Sequence, residues 1–401
     1  MRKAPTTSVA LEWDLLLAAS SADLGSADLS SSDPGESDTG RIRVLLEKPV
    51  DWEAVLRLAD NHGMSSLLYQ NLLGFGDMVP SVVLETLRQR YEKNVYKSLF
   101  LTRELMRILD CLEGRGIEVI AYKGVVLSEV YYGDMALRQT GDIDMFVRRR
   151  DVGRSKSALQ EMGYTTRLVI PEDAVEDYII SGYEWTFDGA AGPNLLELQW
   201  ALQPRFYAVD FDMDGLFDRA VKVTVAGQSM KTPSPEDLLL VLSVHAAKHV
   251  WGRVILLRDL AQILKLGNLN WDWVQSQARE LGIQRILWVT FLLANRYLGA
   301  GVPPAVESAV LADRVARVLA DEIAANMAAR VSYDAEKTSY FRLMMRLRER
   351  RRHRMRFLAR LAFTPGPGEW EAVRLPRPLF PLYRAVRLAR LGARFALGRP
   401  S

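Results

Sequence analysis

Asp142 and Asp144, in the run Gly141-Asp142-Ile143-Asp144, are the residues of this chain best spaced for chemistry. Alternate positions of a β-strand point to one face, so the two carboxylates would lie side by side. Ile143 and Met145-Phe146-Val147 supply the apolar run of a largely buried strand. Adjacent carboxylates repel, and without a cation one of them takes up a proton. Such an oxygen-rich pair suits Mg²⁺, or Mn²⁺ in its place, which uses one or two protein carboxylates and draws its other ligands from water and phosphate. The competing reading is a strand entering a turn, with one Asp capping and the other solvated. Short motifs of this kind also arise by chance.

A pair of aspartates can anchor a metal but offers no base. Glu197, in Leu195-Leu196-Glu197-Leu198-Gln199-Trp200, is the best candidate for a third carboxylate, because an acid flanked by apolar residues is expensive to bury unpaired. Its plainer reading is a solvent-facing residue of an alternating edge strand. Upstream, Lys123-Gly124 closes a strand and opens a helix. Glycine lets a backbone approach a phosphate, and a helix N-terminus offers free N–H groups. Lys123 adds a charge there. Arg138, four residues before Asp142, either neutralises a phosphate or pairs with the aspartates to hold their loop. His245, Lys248 and His249 share one helical face, with Arg253 following. That face either lines a cleft opposite the aspartates, with Lys248 as a nucleotide contact, or is merely structural. Zinc on the two histidines lacks a third ligand. Asp259 is expected to pair with Arg258 or Arg253.

The elements that must hold these residues are short strands set among helices. Asp51-Trp52-Glu53 begins a helix with apolar Ala54, Leu56, Leu58 and Ala59, and Pro80 to Gly114 continues the pattern. Ile117 to Tyr122 and Asp142 to Arg148 read as strands. Val125–Tyr132 and Asp151–Met162 read as helices between and after them. Thr165–Ile170 reads as a further strand, and Tyr183–Phe187 with Leu195–Trp200 reads as a hairpin. From Ser234-Pro235-Glu236-Asp237, a helix cap with Pro at the first turn, the chain is almost entirely helical. The expected organisation is an N-terminal segment and flexible Ser/Asp/Gly-rich linker over 1–40, a helical region over 41–114 and an α/β core over 115–232. A helical domain over 233–362 and a basic amphipathic tail over 363–401 complete it. The fold class is α+β: a small mixed sheet embedded between helical regions.

At 401 residues and 49% hydrophobic, the chain can bury a substantial core. It contains no uninterrupted apolar run long enough to span a bilayer and no cleavable leader pattern. One cysteine, Cys111, cannot form an internal disulfide, and a cytoplasmic location is expected. The net charge of +3 conceals an asymmetry. Residues 341–401 hold sixteen Arg, no Lys and three Glu, a net +13, which leaves −10 on the rest. Arg346 to Arg356 form a dense cluster, and Arg384, Arg387, Arg390 and Arg394 recur at helical spacing beside Leu382, Leu388 and Leu391. A basic amphipathic helix suits an anionic membrane surface. It equally suits packing on the acidic body of the same molecule. Nucleic acid is not the expected partner, since no recognised binding module accompanies the arginines.

Lys123-Gly-Val-Val-Leu127, Tyr131-Tyr132-Gly-Asp and Arg138-Gln-Thr-Gly-Asp142-Ile-Asp144-Met-Phe-Val147 together resemble the uncharacterised bacterial nucleotidyltransferase family of the polymerase-β-like superfamily. His62-Gly63, Glu197-Leu-Gln-Trp200, His245-Ala-Ala-Lys-His249, Trp370 and Leu382-Tyr-Arg384 extend the resemblance along most of the chain. It implies a minimal nucleotidyltransferase fold in which Asp142, Asp144 and Glu197 ligate Mg²⁺. Glu197 would also activate the acceptor. Lys123, Gly124, Arg138, Gly141 and Lys248 would contact the nucleotide. The implied reaction moves a nucleoside monophosphate from a nucleoside triphosphate, ATP by expectation, to a small-molecule, peptide or protein acceptor, releasing pyrophosphate. The alternatives are a degenerate nucleotide- or partner-binding homologue and a peripheral membrane adaptor using the Arg-rich tail. Two positions depart from the family pattern. Val125 follows Gly124 where a second Gly or a Ser is usual, and Gln199 stands where a His is expected.

Overall fold

Two hydrophobic clusters organise the chain, and a four-stranded sheet lies between them. The computed structural model describes residues 7–21, 38–168, 170, 175–189, 192–328, 338–364, 369, 372–373, 375 and 377–397. Strands β1 (Val119–Tyr122), β2 (Ile143–Val147), β3 (Glu184–Gly189) and β4 (Gly192–Gln199) take the order β1-β2-β4-β3. β2 runs antiparallel to β1 and parallel to β4, and β3 and β4 form an antiparallel hairpin. The sheet is therefore mixed, as expected, and β4 is an interior strand rather than an edge.

Alternation along the strands assigns the two faces. Ala121, Ile143, Met145, Trp185, Leu196 and Leu198 turn to one cluster. There they meet the C-terminal half of the long helix α5 (Ser81–Glu113) and helix α7 (Val152–Glu161), packing through Leu101, Leu105, Leu112 and Leu159. Ile120, Tyr122 and Phe146 turn to the other cluster, the core of the helical regions. Between β1 and β2 lies α6 (Gly124–Tyr132).

Ahead of the sheet come α1 (Thr7–Ser21), α2 (Asp38–Leu46), α3 (Trp52–His62) and α4 (Ser65–Leu72). Helix α3 starts at the Asp51 cap, whose side chain accepts from Ala54 N–H, and stops at Gly63 in the left-handed region. The short helices α8 (Val175–Ser181) and α9 (Met213–Asp218) flank the β3–β4 hairpin in sequence. Beyond them the chain is helical: α10 (Pro235–Lys248), α11 (Val254–Leu264), α12 (Trp271–Leu281), α13 (Gln284–Leu298), α14 (Pro304–Ala312) and α15 (Arg314–Ala328). The last helices are α16 (Thr338–Arg346), α17 (Arg351–Phe363) and α18 (Tyr383–Leu397). The expected cap of α10 forms, with Ser234 Oγ accepting from Asp237 N–H at 3.1 Å.

The structure departs from the sequence reading in three places. Among the described residues of the expected strand Thr165–Ile170, Thr165 alone pairs, bridging Asp188 where the β3–β4 register is irregular between Phe187 and Gly189. A two-stranded hairpin, β5 (Val221–Val225) and β6 (Gln228–Thr232), closes on Ala226-Gly227. Its Val221-Val223-Val225 alternation carried the signal. Helix α1, which the sequence reading left unassigned within the N-terminal segment ahead of the linker, belongs to the core, with Leu15, Leu16 and Ala18 fully buried. Residues 22–37 of the expected linker lie outside the described residues, as does Trp370. Among the described residues no helix is long and apolar enough to cross a membrane.

Candidate active site

Register brings the acids together. Asp144 pairs directly with Glu197 across β2 and β4, Tyr122 pairs with Asp144 on the other side, and Thr186 pairs with Glu197. Residues paired across a sheet share a face, so Tyr122, Asp144, Glu197 and Thr186 form one row. Asp142 precedes β2 on the same face. One step along the strands, Gln199 and Glu184 make a second polar pair.

The loop before β2 is fixed by side chains from distant helices. Asn94 of α5 donates to the carbonyls of Ala136 (2.7 Å) and Arg138 (3.2 Å) and accepts from Thr140 N–H (3.4 Å). Arg138 grips Asp259 of α11 with two hydrogen bonds of 2.8 and 2.9 Å, and Tyr132 donates to the same carboxylate at 2.7 Å. Arg138 therefore holds the loop through Asp259, not through the aspartates, and Asp259 pairs with neither Arg258 nor Arg253 in that contact.

The β1–α6 turn meets this loop. Lys123 adopts φ +56° and Gly124 φ +45°. A Cβ on Gly124 would lie 3.2 Å from both the Asp142 carbonyl and the Thr140 methyl. Only glycine lets the two segments approach this closely without strain. Lys123 Nζ donates to Asp144 Oδ1 at 2.8 Å, with both residues buried. Burial pulls the Lys123 ammonium down, but Asp144, Tyr122 and Glu197 outweigh it and keep it charged.

One ammonium does not balance the acids. Burial, with the Asp144 charge added, pushes Asp142 up to about 6. Burial, then Asp144 and Glu184, push Glu197 up to about 8. Carboxylates crowded in this way hold protons that a divalent cation would displace. The donor set is all oxygen, which suits Mg²⁺. The fit is one of donor chemistry rather than present spacing. Among the described residues, no three His, Cys, Asp or Glu side chains are grouped to hold a metal ion.

The chain matches a family model described as uncharacterised nucleotidyltransferase over residues 48–299. It belongs to that family. The matched span contains the whole sheet, the acid row and helices α3 to α13. Among solved structures, it is similar to an antigenic nucleotidyltransferase-like protein from Paracoccidioides brasiliensis, at 16% identity and a TM-score of 0.29, over 50% of this chain and 93% of that one. No curated protein matches.

In this member of the family, His245, His249 and Arg253 lie within electrostatic reach of Lys123, Arg138 or Asp142, and Lys248 lies within reach of both histidines. Burial holds His245 far below its ordinary value, helped by the nearby Lys123, His249, Lys248 and Arg138 charges. Burial and Lys248 pull His249 down to about 4. The two rings lie 4.7 Å apart. Burial and Arg138 lower Arg253, whose Nη2 would stand 2.7 Å from a Cβ on Gly63. Lys248 reaches across to β3, its Nζ donating to Tyr183 Oη at 3.2 Å. Tyr183 in turn donates to Glu184, and Gln199 Nε2 donates to Glu184 (3.3 Å) and Glu197 (2.9 Å). Tyr122 donates to the remaining Gln199 oxygen at 2.5 Å. Asn94, Tyr183, Glu184 and the bridging role of Gln199 went unread in the sequence. Strand alternation at Glu184 was the one available signal.

Proposed function

We propose that the protein transfers a nucleoside monophosphate from a nucleoside triphosphate, ATP by preference, to an acceptor hydroxyl or other nucleophile, with loss of pyrophosphate. The observation that carries this reading is the strand register setting Asp144 beside Glu197, with Asp142 and the Lys123-Gly124 turn at the same end of the sheet. Asp142, Asp144 and Glu197 would hold Mg²⁺, which supplies Lewis-acid stabilisation of phosphoryl oxygens. Lys123, Arg253 and Lys248 provide cationic charge for a triphosphate, and the Gly124 turn allows its close approach. Glu197, pushed up to about 8, is the group suited to receive the acceptor's proton once ionised. The acceptor attacks the α-phosphorus, the bond to the bridging oxygen breaks, and pyrophosphate leaves. Positioning and charge neutralisation carry the rate.

The test is incubation with each labelled nucleoside triphosphate and Mg²⁺, following pyrophosphate. Release is expected for the wild type and is lost on replacing Asp142 and Asp144 by Ala. Release that survives the double replacement sinks the assignment. One observation favours a second reading. The Lys123–Asp144 ion pair supplies an internal countercharge where a metal would bind. Nucleotide binding without release would mark a degenerate, nucleotide-binding homologue.

A further inference from the structure

We propose that the outward face of α17 and α18 docks on an anionic lipid bilayer. The arginines of this region fall into two sets. One set has acidic partners: Arg346 on Glu322 and Arg356 and Arg360 on Asp210 of the body, and Arg387 and Arg390 on Glu369 within the C-terminal region itself. Arg350, Arg351, Arg352 and Arg384 instead face solvent with no acidic partner among the described residues.

Helical spacing sets these cations beside exposed apolar side chains. On α17, Arg351 and Arg352 lead into Met355 and Leu358, and Phe363 closes the stripe. Met355 is 64% and Phe363 53% exposed. On α18, Arg384 is followed one turn later by Leu388, 44% exposed. Seven of the nineteen exposed large hydrophobic residues described fall between Met355 and Leu388, which is concentration rather than the usual scatter. Phe363 and Ala359 of α17 and Arg384 of α18 line a cavity of about 810 Å³ together with Asp177, Arg360 and exposed Ile180. At Phe363 and Arg384 the two helices thus open on one shared cavity.

Charge complementarity names the occupant. Guanidinium groups meet anionic headgroups while Met, Leu and Phe enter the acyl boundary. A nucleic-acid strand needs stacking platforms, and Phe363 is the one exposed aromatic ring on these two helices among the described residues. The contact is interfacial, because no described helix can cross the bilayer. Both helices lie outside residues 48–299, the stretch the family model matches, and the contact does not depend on the proposed reaction.

Flotation of the full chain with phosphatidylcholine vesicles, with and without phosphatidylserine, tests it. Binding is expected with phosphatidylserine alone and weakens with salt. The charge-reversed variant Arg351→Glu/Arg352→Glu/Arg384→Glu should lose on the order of 100-fold in affinity. Met355→Ser/Leu358→Ser/Leu388→Ser should lose at least about tenfold at an unchanged melting temperature. No binding to phosphatidylserine vesicles, or equal binding to both vesicle types, overturns the proposal. So does full binding by the serine variant, which would mark a general polyanion contact.

Discussion

Glu197 is the residue whose environment departs furthest from its sequence. Written among leucines, it stands in an interior strand beside Asp144, and its carboxyl is pushed up to about 8 from an ordinary 4.5. An acid raised in the folded state keeps a proton that the unfolded chain releases, so stability is full below the unfolded value and falls as pH rises through the folded one. Asp142, raised to about 6, contributes the same sign at lower pH. His249, lowered to about 4, has the opposite sign: its contribution is present above its ordinary value and lost as pH falls through about 4. From about pH 6.5 to 8 the Glu197 effect therefore stands largely alone. Without divalent cations the melting temperature should decline across that window. Added Mg²⁺ should flatten the decline, and Glu197→Gln should abolish it. A level melting curve in wild-type protein would contradict the crowding described here.

At the scale of elements, the site is an assembly of segments held from outside. The β1–α6 turn rests on the loop before β2, which hangs from Asn94 of α5 and from the Arg138–Asp259 pair to α11. Arg138 is 8% and Asp259 2% exposed, so removing one partner strands a buried charge. Asp259→Ala should cost about 3–5 kcal/mol in urea unfolding. The paired change Arg138→Met/Asp259→Leu should recover much of that loss, because it leaves no charge behind. A single replacement as mild as a surface change would show that the pair does not organise the loop.

At the scale of the molecule, the helical regions build one cluster from both ends of the chain. Helix α1 contributes Leu15 and Leu16 to the same core as α13, α15 and α16. Leu16→Ala should cost about 2–5 kcal/mol, read as a shift in the urea midpoint at unchanged slope. A change under about 0.5 kcal/mol would place α1 among dispensable surface segments. The charge asymmetry works at this scale too. Asp210 and Glu322 of the body take up inward arginines of the C-terminal region, so the internal pairing anticipated from the −10 and +13 halves is realised for that set. The outward arginines keep their charge for another surface.

The sequence by itself determined the strands of the acid row and the acids they carry. Alternation around Asp142-Ile143-Asp144 and around Leu196-Glu197-Leu198 marked two strands carrying acids, with Glu197 read more readily as a solvent-facing edge residue, and the structure made β4 an interior strand. The Ser234-Pro235 cap and the Gly124 turn also follow from local rules, because caps and turns are decided within a few residues. Only the tertiary structure decided that Asp144 and Glu197, fifty-three positions apart, are neighbours, because register is a contact between strands. It also decided that Arg138 turns to Asp259, that Gln199 bridges Tyr122, Glu184 and Glu197, and that Lys123 neutralises Asp144. Each of those choices depends on which partners burial brings within hydrogen-bonding distance. Residue type supplies a donor or an acceptor, and the fold selects its partner.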